Sequence, residues 1–166
     1  MKQGSIVRNA WGVRMKNYFV YDGIADHIFY DNGYRAKYTG RIGGAKLMFA
    51  AADMNRPIYP AMYADDDTAD AWIEGTVWEI DDGLYDLVVN GFYGDYRLIE
   101  GLQFESNDGE IVVCDTCVMP VGVFAIPDEV ELAAVSAYYA SYNLDQSLLE
   151  TAYKECEQKV CSDEAS

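Results

Sequence analysis

The chain has 166 residues, of which 51% are hydrophobic and 14% aromatic, and its formal net charge is −16. This composition supplies enough apolar side chains for one packed domain with an appendage, and it excludes wholesale disorder. No apolar run reaches the roughly 18 residues that a membrane-crossing helix needs. Residues 1–16 also lack the apolar centre of a secretory signal, so we expect a soluble, cytoplasmic protein with no membrane association.

The charge is divided unevenly along the sequence. Residues 1–60 contain nine Lys/Arg and four Asp/Glu, a net of +5, whereas residues 61–166 contain three and twenty-four, a net of −21. Such an acidic surface repels phosphates, so we expect no nucleic-acid binding. It favours a basic protein partner if the charges gather on one face, and otherwise serves only solubility.

Hydrophobic patterning predicts strands that are separated by turn-forming residues. Gly75 lies inside one of them, which indicates a bulge or a close backbone approach. Two prolines predict a loop over residues 55–60, and the composition of residues 31–44 predicts turns with a short edge strand. The predicted strands cover residues 17–21, 45–50, 61–63, 71–80, 96–104 and 110–119.

Three segments of the sequence have helical patterns. Apolar residues at 84, 87 and 88 predict a short helix that ends at Gly91. A second helix begins at Pro127 and buries a stripe that contains Val130, Ala134, Ala137 and Tyr138. After a break at residues 143–146, a third helix runs to about Val160. We therefore divide the chain into an extension (1–16), a main domain (17–120), a helical pair (121–162) and a tail (163–166).

Small residues follow one side of the second helix, at Ala133, Ala134, Ala137 and Ala140. They permit close approach of another element, which is either part of the same chain or the same helices in a homodimer. The cysteines at 114 and 117 have the two-residue gap of a zinc pair. Because positions three apart on a strand face opposite sides, we expect buried thiols and neither a metal nor another cofactor.

Four segments resemble the γ-glutamylcyclotransferase-like family, and together they span most of residues 17–120. They are Phe19–Ile24, Tyr59–Ala61, Gly75–Asp82, and Leu87–Gly91 followed by Tyr96. The resemblance implies an α+β fold with a small mixed β-barrel, a short helix at the pocket and a C-terminal helical pair. It also implies the ligand-binding positions, which are Tyr21, Asp22, Gly23, Ile24, Tyr59, Pro60 and Tyr96.

In that family the α-amine of a γ-glutamyl group attacks its own side-chain amide, which yields 5-oxoproline and a released amine. Backbone N–H groups of the first turn hold the substrate's α-carboxylate, and a glutamate on the short helix moves the proton. Here Asn90 occupies the glutamate position, and an amide cannot act as a general base. Asp22 stands where the family has glycine and would repel a carboxylate, unless Gly23 takes that role by a one-residue slip.

Three functions remain open from the sequence. The first is a degenerate protein that binds a small amino-acid-derived or γ-glutamyl-type ligand without turnover. The second is an active cyclotransferase with a relocated acid, for which Glu79 is the candidate and Glu100 and His27 are weaker ones. The third is an acidic interaction or inhibitor protein that uses the fold as a scaffold. Because both departures fall in one site, the first function is our prediction.

Overall fold

The computed structural model of the protein describes residues 7–165, with side chains up to residue 162. The remaining residues of the predicted extension and tail lie outside this range. The strands are β1 (Val7–Arg8), β2 (Arg14–Val20), β3 (Tyr38–Gly43), β4 (Lys46–Ala51), β5 (Tyr59–Tyr63), β6 (Trp72–Asp81), β7 (Arg97–Ser106), β8 (Ile111–Val118) and β9 (Val123–Phe124). The helices are α1 (Ala25–Asp31), α2 (Asp82–Asp86), α3 (Glu129–Ser141) and α4 (Gln146–Ala165).

The larger of two sheets has the strand order β1-β2-β6-β3-β7-β8. Its neighbouring strands are antiparallel, but β2 also pairs with β8 in parallel, at Tyr18 and Asp115. The sheet therefore curls until β8 meets β2. This confirms the predicted α+β class, and the expected barrel takes the form of a curled sheet whose two sides meet at one residue pair.

Two glycines allow the strands of this sheet to cross closely. A Cβ atom on Gly75 would lie 2.2 Å from the Val20 carbonyl oxygen, which confirms the predicted close backbone approach. A Cβ atom on Gly40 would lie 2.1 Å from the Glu105 oxygen. Strand β3 pairs with β6 on one side and with β7 on the other, and the absence of a side chain at Gly40 leaves room for β7. The prediction of an edge strand there was wrong.

The smaller sheet has the order β5-β4-β9 and packs beside the larger one. Its strand β5 begins at Tyr59, so the loop predicted over residues 55–60 ends earlier than expected. Pro60 pairs with Phe49 of β4. Proline is tolerated there because β5 is an edge strand, where one side of the backbone needs no ladder partner.

The predicted helical pair is present as α3 and α4. The break between them is confirmed at Asn143, which has a positive φ of 55°. The predicted buried stripe of α3 was wrong except at Tyr138, because the helix buries Val135, Tyr138 and Tyr139. Tyrosines offer far more apolar surface than alanines, so the helix turns them inward. The residues left exposed are Val130, Ala133, Ala134, Ala137 and Ala140.

The segment between β6 and β7 differs from the single short helix that was predicted. Asp81 caps α2 by accepting a hydrogen bond from the Leu84 N–H at 2.8 Å, so the helix begins earlier than expected. The chain then continues as a π-helical turn, Leu87–Phe92, which contains Gly91 instead of ending there. The short helix α1, which follows the turn after β2, was not predicted. No helix within residues 7–165 is long and apolar enough to cross a membrane.

Candidate functional site

The turn that follows β2 is built around the carboxylate of Asp22. Its Oδ1 atom accepts a hydrogen bond from the Ile24 N–H at 3.1 Å, and its Oδ2 atom accepts one from the Tyr93 hydroxyl at 2.9 Å. Asp22 is only 6% exposed. The Asp22 side chain therefore accepts a hydrogen bond from a backbone N–H of the same turn that was expected to bind a substrate carboxylate.

Gly23 is required at the next position for two reasons. Its φ is +73°, a conformation that side chains other than glycine rarely adopt. A Cβ atom there would also lie 2.8 Å from the Cβ atom of Tyr138, because α3 packs directly on the turn. The helical pair thus covers the turn from outside.

Aromatic side chains surround the carboxylate of Asp22. The ring of Tyr93 stacks on Tyr18 with centroids 6.4 Å apart and contacts Tyr96 at 4.8 Å. The Tyr21 hydroxyl donates a hydrogen bond to the Cys117 carbonyl at 3.0 Å. Three members of this group, Tyr18, Tyr93 and Cys117, were not predicted. Of these three, only Tyr93 could have been indicated by the sequence, because it lies three residues before Tyr96.

The buried position of Asp22 changes its acidity. Burial raises the pKa of Asp22 to about 6, although the hydrogen bonds from Ile24 and Tyr93 oppose the rise. Asp26 contributes a smaller, repulsive part of the increase in this pKa. Burial, and then the charge of Asp22, raises the pKa of Tyr93, so its hydroxyl stays protonated and donates. Asp22 can therefore exchange a proton near neutral pH.

Among residues 7–165, no hydrogen bond joins the side chain of Asn90 to Asp22. Asn90 is exposed in the π-helical turn, and the turn instead carries Tyr93 inward, with the Tyr93 N–H bonded to the Val88 carbonyl at 2.8 Å. Turns of the π type are rare and are frequent at functional sites. The segment expected to bring a catalytic side chain to the site therefore brings a tyrosine.

Glu79 lies on a different face of the sheet from this cluster. It is aligned with Asn17, whereas the next residue of β2, Tyr18, faces Tyr93. Successive side chains of a strand point to opposite faces. The Glu79 carboxylate binds the ammonium group of Lys37 at 2.7 Å. The weaker candidates Glu100 and His27 are both exposed.

The remaining predicted site residues lie partly together. Tyr59 and Tyr96 pack against one small apolar cluster, formed by Ala50, Ala61 and Met119. Burial, followed by the charges of Asp22 and Tyr59, raises the pKa of Tyr96. Tyr21, Asp22, Tyr59 and Tyr96 thus belong to one region, with the buried Pro60 next to it on β5.

Within the described residues, no group of three His, Cys, Asp or Glu side chains is placed to hold a metal ion. Cys114, Cys117 and Cys156 are buried free thiols, and Cys161 is exposed.

Solved structures show which fold this is. A γ-glutamyl cyclotransferase superposes with a TM-score of 0.68 and 16% identity, over 83% of this chain and 86% of its own. An uncharacterized protein from Homo sapiens gives 0.68 and 17% over the same shares. A yeast γ-glutamyl cyclotransferase specific to glutathione gives 0.58 and 10%, over 87% and 96%. No family model and no curated protein sequence matches the chain.

The chain therefore has the fold of the γ-glutamyl cyclotransferases. At these identities the likeness establishes the fold and not the activity.

Proposed function

We propose that this protein is a catalytically degenerate relative of the γ-glutamyl cyclotransferases that binds a small carboxylate ligand without converting it. The observation that carries the proposal is the hydrogen bond from the Ile24 N–H to the Asp22 carboxylate, at 3.1 Å. In the family that the sequence resembles, this turn holds the substrate's α-carboxylate. Here the protein's own carboxylate takes that place.

Loss of turnover follows from the two departures together. Cyclisation needs a group that takes a proton from the α-amine and returns one to the leaving amine. Asn90 has no such capacity, and it is exposed. A bound γ-glutamyl group would also have to displace the Asp22 side chain from its two hydrogen bonds.

Binding of a carboxylate ligand is expected to depend on pH. Since the pKa of Asp22 is raised to about 6, protonation below that pH removes the negative charge that repels an incoming carboxylate. The amino-acid-derived ligands that would compete with the Asp22 side chain for the Ile24 N–H, once its charge is removed, are glutamate, 5-oxoproline and γ-glutamyl amides.

Calorimetric titration with 5-oxoproline tests the binding proposal. We expect the wild-type protein to bind about tenfold more tightly at pH 5 than at pH 7.5. Asp22→Asn keeps the size of the side chain but removes its charge, so its affinity should be the same at both pH values. Equal affinity of the wild-type protein at both pH values, or no binding at either, contradicts the proposal.

Release of 5-oxoproline from γ-glutamyl amides tests the loss of catalysis. We expect no product from the wild-type protein and measurable product from the double variant Asp22→Gly/Asn90→Glu, which restores both family residues. Asp22→Gly/Asn90→Gln is the matched control, because glutamine has the length of glutamate but cannot move a proton.

A second candidate function is an active enzyme in which Asp22 is the relocated acid. The raised pKa of Asp22, about 6, favours it, because a proton-transfer group works best when its pKa lies near the ambient pH. In that case the wild-type protein releases 5-oxoproline and Asp22→Asn does not. That outcome replaces the degenerate function with the active one.

A further inference from the structure

The loop between β1 and β2 holds a tryptophan out in solvent. The Oδ1 atom of Asn9 accepts hydrogen bonds from the N–H groups of Trp11 at 3.0 Å and Val13 at 2.9 Å, so the loop is ordered by its own contacts. Trp11 is nevertheless 89% exposed. We refer to residues 7–14 as the Trp finger. An ordered loop that exposes an indole resembles the aromatic anchors that dominate protein interfaces.

The Trp finger also carries an unfavourable arrangement of charge. Arg8 and Arg14 lie directly opposite each other in the β1–β2 pairing. Like charges in that position destabilise a strand pair. The ion pair of Arg14 with Asp82 is long, at 3.9 Å, and within residues 7–165 Arg8 bonds only to the Gly12 carbonyl. An acidic partner at the finger would relieve this repulsion.

A cavity of about 120 Å³ lies where α4 meets β4 and β6, and we refer to it as the α4 cavity. Its wall includes the exposed ring of Trp72, and the ion pair of Lys46 and Glu155, 2.6 Å long, lies at its edge. Thr151 is an exposed residue that lines it. The apolar residues that line the rest of it are Leu47, Ala71, Ile73, Tyr139, Leu148 and Ala152.

An acidic cleft of about 360 Å³ adjoins the α4 cavity, and Trp72 lines both. The cleft contains the carboxylates of Glu74, Glu105 and Asp145 and the guanidinium group of Arg41. Arg41 is 5.0 Å from the Trp72 ring. The cleft thus has an excess of negative charge directly beside an apolar cavity.

The finger and this pair of sites are complementary in charge, and the cavity admits part of the indole. An apolar cavity of about 150 Å³ accommodates benzene, and the α4 cavity of about 120 Å³ is smaller, so it can take the edge of the six-membered ring of an indole but not the whole ring. Arg8 and Arg14 lie on the two strands that carry the finger, and three carboxylates lie in the cleft beside the cavity. We propose that Trp11 of one copy of this chain inserts into the α4 cavity of a second copy, with Arg8 and Arg14 against its acidic cleft.

This contact joins two different surfaces of the same chain. Such a head-to-tail contact extends into rings or open chains, because a dimer still presents one free finger, on one copy, and one free cavity, on the other. The proposal uses neither Asp22 nor Asn90, so it stands or fails independently of the proposed ligand.

Sedimentation velocity at increasing protein concentration, up to about 1 mM, tests the proposal in the range where weak interfaces are populated. We expect dimers and larger species that dissociate as salt is added, because the charges at the finger are exposed. Trp11→Ser should weaken the association by about thirtyfold or more. Thr151→Arg blocks the cavity and repels the finger, and it should have the same effect.

Mixing the two variants gives the decisive result. Trp11→Ser keeps its cavity and Thr151→Arg keeps its finger, so each alone is a monomer and the mixture should stop at 1:1 dimers. Both positions are exposed, and circular dichroism verifies that the variants fold.

Val130→Ser is the matched control, since Val130 is 80% exposed on α3 and lines neither the α4 cavity nor the acidic cleft. Loss of association in Val130→Ser but not in Trp11→Ser would move the interface to the exposed face of α3. That result, a mixture that stays monomeric, or a wild-type protein that is monomeric throughout, overturns the proposal.

Discussion

Tyr138 and Tyr139 are adjacent on α3, and both are buried, but only one hydroxyl has partners. The Tyr138 hydroxyl donates to the Val20 carbonyl at 2.7 Å and lies 2.7 Å from the Thr76 hydroxyl, which also binds the indole N–H of Trp78. The Tyr139 hydroxyl has no hydrogen-bond partner among the described residues. A buried polar group without a partner keeps its desolvation cost, whereas a bonded one recovers it.

Replacing each of these tyrosines by phenylalanine should therefore have opposite effects. We expect Tyr139→Phe to raise the free energy of unfolding by about 1 kcal/mol, because it removes an unsatisfied hydroxyl. Tyr138→Phe should lower it by about 1–3 kcal/mol, because the Val20 carbonyl and Thr76 lose a partner. Urea unfolding followed by tryptophan fluorescence measures both. A loss of stability in both variants would show that the Tyr139 hydroxyl is satisfied in solution.

Asp22 should make stability depend on pH in a defined direction. Its pKa rises from an ordinary 3.8 to about 6 on folding, so the unfolded chain ionises first. The folded state is therefore favoured below pH 4, and this advantage is lost as the pH rises through 6.

Between pH 4 and pH 7.5 the wild-type protein should lose about 2–3 kcal/mol of stability relative to Asp22→Asn. Urea unfolding of both proteins across this range gives the difference directly, and effects of the other carboxyl groups largely cancel. Parallel stability curves for the two proteins would mean that Asp22 is not desolvated in the folded state.

At the scale of elements, the strand crossings limit which residues the larger sheet accepts. We expect Gly75→Ala to lower the free energy of unfolding by about 3 kcal/mol or more, because its Cβ would overlap the Val20 carbonyl. Gly43→Ala, also in the sheet, should change stability by less than about 1 kcal/mol, since no atom lies within 4 Å of its Cβ. Thermal unfolding of the two variants compares them, and similar melting temperatures would contradict the close approach.

Elements with strong local patterns could be predicted from the sequence, and those decided by distant contacts could not. The β7–β8 hairpin and the break between α3 and α4 follow from turn residues in the sequence. The position of β3 inside the sheet depends on Gly40 meeting Glu105, far away in the chain. The π-helical turn at Leu87–Phe92 likewise has no local signature.

For the candidate site, the resemblance to a known family located the turn and the short helix, but not their contacts. Asp22 was predicted as a ligand-binding position, and the sequence did not show that its carboxylate accepts hydrogen bonds from its own turn and from Tyr93. Tyr93 was missed because its role depends on how the π-helical turn directs it. Departures from a family pattern can be read from sequence, whereas the side chains that compensate for them need coordinates.

At the scale of the whole molecule, the basic and acidic parts of the sequence form different surfaces. The basic N-terminal part includes the Trp finger, and the acidic remainder includes most of the acidic cleft. The proposed contact between copies brings the basic finger of one copy to the acidic cleft of another. The chain's net charge of −16 opposes close assembly. Added salt screens this repulsion as well as the attraction between finger and cleft, so the expected dissociation in salt requires that the loss of attraction be the larger effect.

The meeting of β2 with β8 also has a consequence for how the chain folds. The Thr116 hydroxyl binds the Phe19 carbonyl at 2.8 Å across a separation of 97 residues. During synthesis, β2 leaves the ribosome long before its partner strands β6 and β8 exist. Contacts between such distant residues slow folding and leave strand edges open in the meantime. The first long strand of this protein is therefore the segment most dependent on protection until translation is nearly complete.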